Sequence, residues 1–132
     1  MTALTDDEIF DAAIQIMLFI DRSITIHFSK NTIRIRFPTT RKLAEHLQIP
    51  HYYVLPYFAT MEKDNLIIRV ERVGISTTMQ GTRKLIELMA TKYKEKTEAV
   101  IGTTLFEEIQ KRVIMENQGQ DLTLPDSNSE LD

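Results

Sequence analysis

The stretch from Thr40 to Gly81 constrains this chain more than any other, because its apolar residues fall at spacings that only one order of short elements satisfies. Thr40-Arg-Lys-Leu-Ala-Glu-His-Leu47 reads as a short helix, Gln48-Ile49-Pro50 as a turn, and His51 to Asp64 as a second helix. Two short helices joined in this way must cross and share one apolar seam. Leu43, Ala44, Leu47, Ile49, Val54 and Tyr57 supply it. Ala44 is small enough for close approach, Ile49 plugs the turn, and Val54 faces back from the second helix. Asn65 suits the left-handed backbone of a helix C-cap. A strand pair then begins near Leu66 and is closed by Thr78-Met-Gln-Gly81.

This order is a helix-turn-helix followed by a small β-wing, and residues 5–95 resemble the winged-helix regulators of the MarR and PadR type. Those families carry a (D/E)-x-G-L-I junction before the wing and a T-x-x-G step after it. Here Asp64-Asn65-Leu66-Ile67 and Thr78-Met79-Gln80-Gly81 occupy these places, with Asn65 where Gly is usual. Residues 47–57 also look like the second helix of the iron-sulphur-sensing winged-helix regulators. Cysteine is absent, so that cluster chemistry does not carry over. The resemblance implies an α+β winged helix with flanking dimerisation helices and a DNA-binding role. It implies no particular effector or operator.

A chain of 132 residues suits one domain. With 42% hydrophobic and 27% charged residues, its composition is that of an ordinary folded protein. The lack of Cys excludes a disulfide scaffold, a thiolate metal site and a Cys nucleophile. Ile9 to Ile20 is apolar but interrupted by Asp11 and Gln15. It lacks the basic leader of a signal peptide and the length of a membrane span, so the expectation is a cytoplasmic protein with no membrane partner.

The net charge of -3 looks wrong for a polyanion partner until it is divided along the chain. Residues 1–21 carry five acids and no Lys or Arg, whereas residues 22–96 carry fourteen bases against six acids, a balance of +8. Positive charge thus gathers on the segment holding the motif, as phosphate binding requires. A solvated surface that merely has to be charged is the plainer reading of the same numbers.

Thr5-Asp-Asp-Glu8 is a capping box, and a helix apolar nearly all round is expected from Asp6 to Asp21. Ile24 to Phe28 and Thr32 to Phe37 alternate around Ser29-Lys30-Asn31 as a β-hairpin. Three roles are open to it: an added edge, a basic finger through Lys30, Arg34 and Arg36, or a pairing surface. After Gly81 a helix is expected over Thr82–Tyr93. A further one over about 98–115 has Ile101, Leu105, Ile109 and Val113 at four-residue spacing. With no core left to cover, that stripe points to a homodimer, against the alternative of folding back on its own subunit. Residues 1–115 form the expected domain, and the acidic stretch 116–132 is expected to be disordered.

In a helix-turn-helix of this kind the second helix enters the major groove. Carried over position by position, Pro50, His51, Tyr52, Tyr53, Pro56 and Thr60 would face bases, with Lys63 at the far end. Thr39, Thr40, Arg41 and Lys42 stand at the first helix's positive end for phosphates. Arg69 and Arg72 of the wing would reach the backbone or the minor groove. Against this, the second helix has no Arg or Lys before Lys63 and holds Pro56 inside it, and adjacent Tyr52 and Tyr53 also suit a protein interface.

The expectation is a homodimeric double-stranded DNA-binding repressor, with any effector between the first helix and the dimer helices. A winged-helix protein-interaction module and a plasmid partition or replication protein are the alternatives. No phosphate loop, nucleophile elbow or metalloprotease motif appears, so the reading is not an enzyme, with no cofactor or metal. His46, His51 and Glu45 are a weak match to a metal site, and Met17, Met61, Met79 and Met89 read as core filler.

Overall fold

The computed structural model describes residues 4–122, with side chains as far as Ile114. Among them, six α-helices, one π-helical segment and two antiparallel β-hairpins make an α+β arrangement. Helix α1 (Asp6–Gln15) opens on the expected capping box, in which Thr5 Oγ1 accepts from the Glu8 amide and the Glu8 carboxylate accepts from the Thr5 amide. The helical path runs to Asp21 as expected, but Ile16–Asp21 is wound as a π-helix and stops at Arg22, whose φ is 53°. Three consecutive apolar residues, Ile16, Met17 and Leu18, are buried within it.

Strands β1 (Ile26–Phe28) and β2 (Ile33–Ile35) form the first hairpin, shorter than the alternation suggests, with His27 opposite Arg34. The second hairpin is β3 (Ile67–Val70) and β4 (Gly74–Thr77). The two are joined rather than separate. Arg36 bridges to Ser76, the Phe37 amide donates to Ile75 O at 2.8 Å, and the Ile35 amide donates to Thr77 Oγ1 at 2.9 Å. Thr77 and Thr82 are fully buried and share a 2.7 Å hydrogen bond, while the Thr82 hydroxyl also reaches Ile33 O. Hydroxyls therefore complete the polar pairing where the backbone ladder ends, as burial demands. Of the roles open to the first hairpin, its β2 side is an added edge. Its Lys30 tip lies beside the last helix, where Arg112 donates to Ser29 O and stands over the Phe28 ring.

Helices α2 (Thr40–Leu47) and α3 (His51–Lys63) occupy the expected positions. Leu43, Ala44 and Val54 are buried in their seam, with Leu47, Ile49 and Tyr57 half-buried around it. The tight turn needs Gln48 at φ 58°. Phe58 of α3 lies in the core with Phe37, which in turn meets Phe10 of α1, at centroid separations of 5.8 and 5.1 Å. Asn65 takes the left-handed conformation expected of it, with φ 64°.

Helix α4 (Met79–Lys92) starts earlier than the expected Thr82, because Thr78 caps it by accepting from the Gly81 amide at 3.1 Å. The final helical stretch is divided. Gly102, at φ 91°, separates α5 (Lys94–Ile101) from α6 (Thr103–Leu122). Phe106, Ile109 and Val113 of α6 are buried within this one chain. The premise that its stripe has no core to cover is thereby corrected: α6 folds back on its own subunit, and Leu105 and Ile114 stay exposed. Helix α6 continues into the stretch expected to be disordered, and 123–132 lie outside the described residues. Among the described residues no helix is long and apolar enough to cross a membrane.

Candidate nucleic-acid interface

The first turns of α2 and α3 are tied together by their own side chains. Thr39 caps α2 by accepting from the Lys42 amide at 3.1 Å. Thr40 Oγ1 and His51 Nε2 share a hydrogen bond of 2.7 Å that spans the helix pair. This corrects the expectation for His51, which is half-buried and engaged with Thr40 rather than offered to a base edge. Lys42 is also committed, since its Nζ lies 3.0 and 3.1 Å from the two Asp21 carboxylate oxygens. Among the described residues Arg41 is exposed and forms no ion pair.

Helix α3 buries Val54, Phe58 and Met61 and turns its other side to solvent. Tyr52, Tyr53 and Leu55 are 64%, 49% and 42% exposed, and Pro56, Ala59, Thr60 and Lys63 are exposed with them. The two tyrosine rings lean together at 4.6 Å between centroids. Pro56 does not break the helix. It sits in the second turn, so the carbonyl it leaves without a helical donor is that of exposed Tyr52, where water can serve. The Thr60 hydroxyl is spent within the helix, donating to Pro56 O at 3.1 Å.

The β3–β4 hairpin stands at the other end of α3. Arg69 Nε lies 3.1 Å from Glu62 Oε1, so Arg69 is paired rather than free. The Val73 amide donates to Val70 O at 3.0 Å and closes a tight turn. Arg72 is exposed there with φ 68° and no ion pair among the described residues. Arg36, for which a hairpin finger was one of three open roles, borders a cleft of about 410 Å³ with Thr39, Lys42 and Asp21. The bridge that carries it there joins β2 to β4 across forty residues, and no local pattern signals it. Leu55 was also missed, because only the helix orientation shows that it faces out.

The acidic first helix neutralises part of the cationic segment. Asp7 pairs with Lys84, Asp11 with Lys92, and Asp21 with Lys42. His46 Nε2 and Gln15 Oε1 are 2.7 Å apart, and Gln15 Nε2 donates to Asp11 and to the Tyr93 hydroxyl. Tyr93 itself donates to Asp11 at 2.7 Å. This network borders a cleft of about 580 Å³ between α1, α2 and α4. His46 is thus engaged with Gln15, and among the described residues no three His, Cys, Asp or Glu side chains gather as a metal site.

Burial, together with the hydrogen bond to Asp11, holds the Tyr93 phenol above its ordinary value. Its hydrogen bond to Asp11 likewise raises Lys92. A group whose folded value is raised stabilises the fold while it is protonated in both states, and that contribution is lost as pH rises through the folded value. Urea midpoints are therefore expected to fall above about pH 10, the ordinary tyrosine value. Tyr93→Phe should flatten that fall. An equal alkaline loss in the variant would show that Tyr93 is not its source.

The chain matches no protein family, no curated protein and no solved structure.

Proposed function

We propose that this chain is a winged helix-turn-helix protein that binds double-stranded DNA, acting as a homodimeric transcriptional repressor. The observation that carries the reading is the outward face of α3, with cations at both of its ends that form no ion pair among the described residues. Arg41 follows Thr40, whose hydroxyl bonds His51 in the first turn, and Lys63 lies in the last. Arg72 at the β3–β4 turn is placed to meet the sugar-phosphate backbone or the minor groove. Lys42 and Arg69 serve mainly to hold the frame, since each is paired to an acid within the chain. The second copy would meet exposed apolar side chains such as Phe19, which lies beside Lys96 of α5. Two α3 helices of such a dimer would reach half-sites one DNA turn apart.

Affinity would come from phosphate contacts of cations such as Arg41, Lys63 and Arg72, and would fall as salt rises. Fluorescence anisotropy on duplex fragments across a salt series is the test. Arg41→Ala should weaken all sequences alike and reduce the slope of log affinity against log salt by about 1. Absence of duplex binding at low salt would overturn the reading.

A further inference from the structure

The outward face of α3 is unusual in what it lacks. From His51 to Glu62 it carries no Lys or Arg. Of its other polar side chains, His51 is tied to Thr40 through Nε2 and the Thr60 hydroxyl donates to Pro56 O. What remains is an aromatic and aliphatic ridge of Tyr52, Tyr53, Leu55, Pro56 and Ala59, with two phenol hydroxyls as its hydrogen-bonding groups.

In the major groove a guanine is read chiefly by a bidentate Arg or Lys, which this ridge does not provide. Thymine offers a C5 methyl that apolar side chains contact, and adenine offers a donor and an acceptor within reach of a phenol. Resting on the duplex-DNA reading above, we propose that α3 selects A·T-rich sequence, its tyrosines and Leu55 packing on thymine methyl groups. The flanking Arg41 and Lys63 make a polyanion the complementary occupant of this ridge. An uncharged or cationic protein surface would leave those charges unmatched.

Removing a contacted methyl exposes no new polar group, so the loss is that of one buried methyl. That amounts to about fourfold in affinity for each methyl contacted. The test compares three duplexes of equal length with the full chain: an A·T core, the same core with deoxyuridine in place of thymidine, and a G·C core. The expected order is A·T first. Deoxyuridine should cost about fourfold per contacted methyl, with the salt dependence unchanged. Tyr52→Ala, and independently Leu55→Ala, should narrow the gap between the thymidine and deoxyuridine duplexes. Both side chains are exposed, so neither change threatens the fold, which circular dichroism checks.

Salt-dependent binding that ignores the methyl groups, or that favours the G·C core, would overturn the methyl reading and leave DNA binding standing. Failure to bind any duplex, as when a protein docks on the tyrosines instead, would overturn both.

Discussion

Gly81→Ala is expected to destabilise the chain by about 3 kcal/mol, at the upper end of overpacking costs. The first turn of α4 crosses the start of β3 so closely that a Cβ on Gly81 would lie 1.9 Å from the Leu66 carbonyl oxygen and 3.1 Å from the Thr77 side chain. The nearest atom is backbone, which cannot rotate away. That carbonyl already accepts from the Thr78 amide at 3.0 Å, and the Thr78 hydroxyl donates to Asn65 O at 2.6 Å. Relief therefore requires the helix to move as a body, taking Thr82 away from Thr77 and Ile33. A shift in urea midpoint at unchanged slope would measure the cost. A loss below about 0.5 kcal/mol, typical of an ordinary surface change, would mean that α4 is not held against β3 in this way.

Phe58→Ala should cost more, about 3 to 5 kcal/mol. Phe58 is fully buried and meets the Phe37 ring, which in turn meets Phe10. Those three rings join α3, the end of β2 and α1, so the cavity opens where three elements meet and cannot easily collapse. Set against a total of about 5 to 15 kcal/mol for a domain, this leaves little stability. Thermal melts should show a strongly lowered midpoint, and Phe58→Leu should recover much of it. Should the alanine variant melt within a few degrees of the parent, the aromatic cluster would not be what fixes α3. The link to function is direct, because Phe58 anchors the side of α3 opposite Tyr52 and thereby sets which residues face outward.

The two effects concern different kinds of sequence information. The helix pair was legible because its elements are local: the start at Thr40, the Ala44 and Val54 seam, and Asn65 act through neighbours a few residues away, although the cap is Thr39 rather than the expected Thr40. Tyr52 and Tyr53 were placed outside by carrying positions over from the winged-helix resemblance, and both are exposed, whereas Leu55 beside them was not foreseen. Gly81 was readable as a step into the next helix. Its reason, the Leu66 carbonyl, was not.

The stripe on α6 illustrates the opposite case. Four-residue spacing of Ile101, Leu105, Ile109 and Val113 says that one face wants cover and does not name the cover. Gly102 breaks the stripe, and Phe106, Ile109 and Val113 find their cover inside the chain.

Charge behaved in the same way. The sequence alone determined that the middle of the chain is cationic, with a balance of +8 over residues 22–96. Only the tertiary structure decided which cations are available, by setting Asp7, Asp11 and Asp21 beside Lys84, Lys92 and Lys42. It also moved His51 from the outward face to Thr40 and joined β2 to β4. The reason is physical. Caps, turns and amphipathic periods arise from interactions along a few residues, whereas ion pairs and sheet edges depend on where distant segments come to rest.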